Sequence, residues 1–391
     1  MKYNFDQLVN RKNTYSSQWD YIADRFGRDD ILPFSISDTD FIIPKPVTNA
    51  LKEATKMEIF GYTRWNHDDF KNAICNYFKK HFNTSINPDW IVYSPSVMYS
   101  LSLLMSLLTN PNDYVATFSP MYPDFEDAII NHHLQPVRIK LNNNGGYYTI
   151  DFKAVEDAFK KCKVFLLCSP HNPTGRVWDK DELLKIIELA KKYDVKIISD
   201  EIHMDIVYHK THYPIVSFLD QYSQLYLVSS GSKTYNYPSL GGSYAFISDP
   251  EIKNNFLTIT KHRDFVNSAN YMGMMALISS YNEANDYRQQ LVAYLNENMN
   301  IIEEYINNNC SPLKFIKPEA TYLAWIDCRQ LLFTSKQLQH ALVNIGKVGI
   351  MPGNTYFEDG YLRMCVGCSK DKLLEGLKRL KISIDYLNYN K

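Results

Sequence analysis

Long apolar runs are missing from this 391-residue chain. No stretch approaches the ~18 unbroken apolar residues that a membrane-spanning helix requires, so the sequence predicts no membrane contact. The opening run Met1-Lys-Tyr-Asn-Phe-Asp6 has no apolar core of the kind a secretory signal carries. An excess of charge is missing too. The 42 basic side chains stand against 43 acidic ones, for a formal net charge of −1. That balance gives no electrostatic footing for nucleic acid or an anionic membrane surface. There is no internal repeat and no low-complexity linker. The seven cysteines are odd in number and scattered, which reads as reduced thiols in a cytoplasmic protein rather than a disulfide framework.

What is present is ordinary for a globular protein: 45% apolar and 22% charged residues. Aromatics reach 14%, mostly through 29 tyrosines, and are read as packing. The length suits roughly two domains of about 150 residues. The middle of the chain alternates strands and helices. Val164–Cys168, Lys196–Ser199 and Leu225–Ser229 are short apolar strand candidates. Between the first two, Asp179 and Glu182 form a capping-box pair, followed by Leu183, Leu184, Ile187 and Ala190 at helical spacing. Strand, helix, strand at this spacing implies a parallel sheet with crossover helices. Asn142–Gly146 reads as a loop or hairpin turn. Beyond it all, the last hundred residues read as an α+β unit. A long helix is expected over Tyr281–Asn307, then strands at Tyr322–Ile326, Gly349–Met351 and Tyr361–Cys365, then a closing helix from Lys370. The expected division is residues 1–50 as an N-terminal segment joining the small domain, 51–285 as a large domain and 286–391 as a small C-terminal domain.

Ligands of open parallel sheets collect beyond the carboxyl ends of the strands. Three strand ends here carry unusual groups: Ser169-Pro-His-Asn-Pro-Thr-Gly175, Ser199-Asp-Glu-Ile-His203, and Ser229-Ser-Gly-Ser-Lys233. Lysine is strongly hydrated and seldom buried without cause. Asn172, Asp200 and Lys233 in one crevice suit a Schiff base with pyridoxal phosphate. Lys233 would supply the imine nitrogen, Asp200 would keep the ring nitrogen protonated, and Asn172 would meet the ring hydroxyl. Ser230 and Ser232 would supply hydroxyls to the phosphate, with Gly231 allowing close backbone approach. Ser96 and Val97, opening an apolar helix over Val97–Leu108, would add amide donors. Tyr122 is available as a stacking face for the ring.

On these residues the chain resembles the fold-type I, aminotransferase-like pyridoxal phosphate enzymes. Within them it resembles the MalY/PatB group of cystathionine β-lyases, or cysteine-conjugate C–S lyases. The segments that carry this span nearly the whole chain: Gln18–Gly27, Ile36–Phe41, Phe60–Trp65, Cys168–Gly175, Ser199–Asp205, Ser230–Lys233, Thr321–Asp327 and Leu362–Met364. The resemblance implies a large domain with a mostly parallel seven-stranded sheet between helices, and a small α+β domain. It implies pyridoxal 5'-phosphate as cofactor and an L-cysteine thioether as substrate, split to thiol, pyruvate and ammonia. Lys233 would hold the cofactor and later move the Cα proton. Arg363 would bind the substrate α-carboxylate as a bidentate fork. Asp38 would lie at the substrate entrance, and Tyr62 would reach the phosphate of a partner subunit in a homodimer with shared sites. Two positions depart from the pattern: Thr39, where Met is frequent, and Met121, where Ala is frequent. Both are expected to affect pocket shape.

An aminotransferase would use the same Lys, Asp, Asn and Arg, and a regulatory protein-binding role is a further alternative. Elsewhere plain readings hold. Cys365 and Cys368 have metal-like spacing but no second pair, and are read as thiols without a metal. His132 and His133 are expected at the surface. His203 follows the Asp-Glu pair, where packing over the cofactor and catalysis are equally open readings. His209 and His212 show no carboxylate partner at suitable spacing in the sequence. Trp19 and Trp65 are read as packing.

Overall fold

The computed structural model describes residues 2–389. Its centre is a seven-stranded sheet. The strands are β1 (Ile91–Ser94), β2 (Tyr114–Ser119), β3 (Gln135–Lys140), β4 (Cys162–Cys168), β5 (Lys196–Asp200), β6 (Leu225–Ser229) and β7 (Ser243–Phe246). They lie in the order β1-β7-β6-β5-β4-β2-β3. β7 runs antiparallel to both neighbours; every other pairing is parallel. Side chains alternate across a strand, and this sheet is covered on both faces. Phe165, Leu167, Ile197, Leu225 and Leu227 therefore enter one core. Val164, Leu166, Ile198, Tyr226 and Val228 enter the other. Helix α1 (Val97–Leu108) covers the second face through Leu101 and Leu104, and α2 (Lys180–Tyr193) covers the first through Leu183, Ile186 and Ile187.

The helix boundaries follow local chemistry. Ser96 caps α1 by accepting from the Tyr99 amide at 3.1 Å. At the start of α2, Glu182 reaches back to accept from the Asp179 amide at 2.8 Å. The Asn142–Gly146 turn joins two short strands, Asn142–Asn144 and Tyr147–Thr149, into a hairpin.

The expected long helix is two. After the short helix α3 (Ser232–Tyr235) come α4 (Tyr271–Glu283) and α5 (Asn285–Asn309), broken at Ala284. Alanine carries no signal for such a break. Ala284 is fully buried, with φ −103° and ψ 26°, and the apolar periodicity runs through it.

The C-terminal sheet is antiparallel, in the order β8-β9-β11-β10. Its strands are β8 (Lys314–Phe315), β9 (Leu323–Asp327), β10 (Met351–Pro352) and β11 (Tyr361–Cys365). The strand expected over Gly349–Met351 divides between two sheets. Val348–Gly349 pairs in parallel with Leu32–Pro33, a strand not foreseen in the first fifty residues. Helix α6 (Lys370–Tyr389) closes the described chain. No helix among the described residues is long and apolar enough to cross a membrane.

The N-terminal segment is tied down along its length. The Tyr3 amide donates to Gln290 at 2.9 Å, the Cys365 amide to the Phe34 carbonyl at 2.9 Å, and the Thr39 amide to Asn236 at 3.2 Å. Asp40 receives Arg11 at 3.0 Å, the Trp19 indole at 2.9 Å and Lys372 at 2.6 Å. The loop after β4 is held just as firmly. Buried Arg176 bonds Glu182 and Glu319, each at 2.8 Å. Gly175 is left-handed (φ 67°), and a Cβ there would come within 2.3 Å of Pro318 and 2.8 Å of the Ala320 carbonyl. The turn that carries Asn172 is thus docked on the chain entering β9.

Candidate active site

β4, β5 and β6 are neighbours, and their register brings Cys168 beside Asp200 and Asp200 beside Val228. Their carboxyl ends therefore deliver Asn172, Asp200 and Lys233 to one cleft of about 450 Å³. Arg363, on β11, faces the same cleft from the C-terminal sheet, and the Ser35–Ser37 strap closes one side.

Asp200 is 6% exposed and accepts from the Ile202 amide at 3.1 Å. Burial pushes its carboxyl up to about 6, against the pull of that amide and of Lys233. The Lys233 amine donates to the Ser37 carbonyl at 2.6 Å. Burial pushes it below the ordinary lysine range and nearby Arg363 adds to this, while Asp38, Cys365 and Asp200 oppose. Arg363 is 4% exposed. It donates to Asn172 Oδ1 at 3.2 Å and to the Ser35 carbonyl at 2.9 Å, with its guanidinium 4.5 Å from the Tyr356 ring centre. Its Nε has no partner, and no carboxylate among the described residues pairs with it. His203 lines the cleft with Nδ1 unpartnered; burial, Lys233 and Arg363 push the imidazole down to about 3, so it is neutral.

Ser96, Val97, Ser230 and Ser232 line one end of the cleft, where α1 begins. The Ser230 hydroxyl donates to the Gly242 carbonyl at 2.9 Å and accepts from the Ser232 amide at 3.2 Å. Tyr122 also lines the cleft, with its hydroxyl bonded to Asp124; burial and that carboxylate hold the phenol well above its usual range.

Around this cleft the structure adds to some expectations and corrects others. A Cβ at Gly231 would lie 2.2 Å from the Tyr237 hydroxyl, so tyrosine packing by itself requires a glycine there. Thr39 and Met121 are buried outside the cleft and do not line it. His212 does have a carboxylate partner, Glu201 at 2.7 Å, brought over by the turn after β5. Tyr62 is fully exposed and stands outside the cleft of its own chain, which leaves it free to meet a partner subunit. Asp38 is not in the cleft wall; Arg11 holds one of its oxygens at 2.6 Å, and the other, Oδ1, is buried without a partner. Cys365 and Cys368 are buried thiols, raised by that burial.

The sequence reading missed Ser37, which anchors the lysine through a backbone carbonyl that no side-chain pattern reveals. It also missed the buried Tyr356 and the exposed Arg25 and Asp124, which line the cleft as well.

The donor set fits pyridoxal phosphate. Helix-start amides and hydroxyls suit the phosphate at one end, an acid, an amide and an amine suit the ring, and a cation without a carboxylate stands opposite. Residues 29–380 match the family model described as aminotransferase class I and II, and the chain belongs to that family. It is 36% identical over 383 residues to Protein MalY of Escherichia coli (strain K12), covering 97% of this chain and 98% of that one. It is 32% identical over 387 residues to the cystathionine beta-lyase PatB of Bacillus subtilis (strain 168), covering 97% and 100%. The fold matches cystalysin from Treponema denticola, a structure that contains pyridoxal 5'-phosphate, with a TM-score of 0.94 at 29% identity over 99% of this chain and 100% of that one. The likeness to the lyase group thus extends over the whole chain.

Proposed function

We propose that this protein is a pyridoxal-phosphate-dependent β-lyase that splits L-cysteine thioethers into thiol, pyruvate and ammonia. The observation that carries it is the meeting of Lys233, Asp200 and Asn172 on adjacent strand ends, opposite an Arg363 that no carboxylate neutralises. Its similarity to MalY and PatB favours elimination over amino transfer. Lys233 would hold the coenzyme aldehyde, Asp200 its ring nitrogen, Asn172 its hydroxyl and the Ser96–Val97 helix start its phosphate. Bound there, the coenzyme supplies an electron sink for the charge left at Cα, which lets a thiolate depart from Cβ. Arg363 binds the substrate α-carboxylate and so fixes the direction of the Cα–H bond. Lys233, with its pKa lowered by burial, takes the proton at Cα. His203, neutral and buried, walls the site without adding charge.

The mouth narrows the choice of leaving thiol. The exposed Arg25 and Asp124 both line it, and the charges of both reach the Tyr356 phenol. A thiol ending in an ammonium and a carboxylate, as in L-cystathionine, pairs with both; an alkyl thiol pairs with neither. Pyruvate release from L-cystathionine without any keto acid is the expected result, and a strict aminotransferase would release none. Arg25→Ala is expected to raise KM for L-cystathionine by about threefold to tenfold while leaving S-methylcysteine unchanged. Equal effects on both substrates would remove the subsite and leave the lyase reading intact.

The same reading includes a homodimer in a cytoplasmic setting. Its support is the exposed run Met57, Ile59, Phe60 and Tyr62 and seven free thiols. Sedimentation equilibrium is expected to give twice the chain mass, and Tyr62→Ala to weaken coenzyme binding in the dimer. A monomer with full activity would contradict this.

A further inference from the structure

The turn after β5 serves two cavities. Asp200 and His203 line the catalytic cleft, whereas Met204, Asp205 and His212 line a second cavity of about 750 Å³. His81, Arg288, Lys80 and Lys180 also line the second cavity. Arg288 Nη2 donates to His81 Nδ1 at 3.2 Å and to Asn285 Oδ1 at 3.3 Å. A guanidinium cannot accept, so His81 Nδ1 is the acceptor and its proton sits on Nε2. His81 Nε2 and Arg288 Nε are both buried N–H donors without an acceptor. Such donors are uncommon in folded proteins because their lost hydration is not replaced.

A third nitrogen completes the set. His212 is 5% exposed, and its Nε2 lies 2.7 Å from Glu201 Oε2. Glu201 also accepts from the Ser199 hydroxyl at 2.9 Å and the Ile215 amide at 2.8 Å, so it is an acceptor and His212 Nε2 is the donor. His212 Nδ1 is then a buried acceptor with no donor. The charges around the cavity favour an anion. Among the described residues no carboxylate forms an ion pair with Lys80, Lys180 or Arg288, although the charge of nearby Asp205 helps to raise Arg288. Asp205 is already satisfied by the Tyr77 hydroxyl at 2.7 Å and the Thr234 hydroxyl at 2.9 Å. Lys210 is held by Asp179 at 2.8 Å, and Asp220 is the remaining acid in the lining.

We propose that this cavity is a second ligand site for a small oxyanion that carries a hydroxyl, hydrogen phosphate or a phosphate monoester, bound by His81 and Arg288 with His212 accepting its O–H. Lys80 and Lys180 draw it in at the mouth. Hydrogen phosphate offers acceptors for the two orphan donors and an O–H for the orphan acceptor, whereas acetate offers no O–H. The site abuts the machinery, since Asp205 holds Thr234, the residue after Lys233.

The test is calorimetric titration of the coenzyme-saturated protein with inorganic phosphate, and separately with acetate, at fixed ionic strength. The expected result is saturable phosphate binding, one per chain, stronger than acetate. Arg288→Gln should weaken it by about tenfold or more. Lys80→Ala with Lys180→Ala should weaken it several-fold, and Arg363→Ala should leave it unchanged. The double lysine variant is at the surface and decides the matter if Arg288→Gln fails to fold. Absence of saturable binding would overturn the proposal, as would binding lost in Arg363→Ala or binding indifferent to the lysine pair.

Discussion

Lys233→Ala is expected to lower pyruvate release from L-cysteine thioethers by at least about 10³-fold, and to remove the visible absorption of lysine-bound coenzyme. Two losses combine. The side chain that holds the coenzyme aldehyde disappears, and so does the base for the Cα proton. The fold should survive. Thr234 keeps its bond to Asp205, and the Tyr235 amide keeps its bond to the Gly231 carbonyl, both at 2.9 Å, so α3 stays in place. Only the bond to the Ser37 carbonyl is given up. Rapid-scan absorption, pyruvate assays and borohydride reduction followed by peptide mapping check this. An Ala variant with full turnover would refute the assignment of the base.

Asp200→Asn is expected to separate stability from activity. In the chain without coenzyme, burial raises the Asp200 carboxyl from 3.8 to about 6. The folded state then binds more protons than the unfolded state between pH ~4 and ~6, so stability falls as pH rises through that window. By pH 7 the buried charge costs about 3 kcal/mol. Asparagine keeps the acceptor for the Ile202 amide and carries no charge. The coenzyme-free variant should therefore be more stable than the parent at pH 7, by up to that amount, and equal to it at pH 4. Turnover should fall by roughly 10²–10³-fold, because no anion remains to hold the ring nitrogen protonated. Urea unfolding at the two pH values, with a turnover assay beside it, gives both numbers. A variant that is less stable at pH 7 would mean that Asp200 is not a destabilising buried charge.

Much of the site was legible along the chain because each part sits at a strand end. β6 is buried at all five positions, and a run of that kind announces itself. Asn172, Asp200 and Lys233 each follow such a run. Arg363 lies within the apolar strand β11, where a cation is conspicuous. Other parts carry no local mark. Ser37 and Lys233 meet through a backbone carbonyl across 196 residues, half of the chain. The glycine at 231 answers to Tyr237, and His212 meets Glu201 only because the connection after β5 folds back on itself. Leu32–Pro33 is too short for periodicity to reveal, and its pairing with Val348–Gly349 joins nearly opposite ends of the sequence.

Taken alone, the order of residues determined the parallel sheet, the coenzyme chemistry and the four side chains that meet at its edge. Those depend on local alternation, caps and residue type, all of which are written within a few positions. Tertiary structure decided what surrounds them: the strap that buries the lysine, the burial that lifts Asp200 and lowers His203, and the second cavity behind the turn. Each of these is a property of desolvation and proximity between distant segments, and neither exists until the chain has folded.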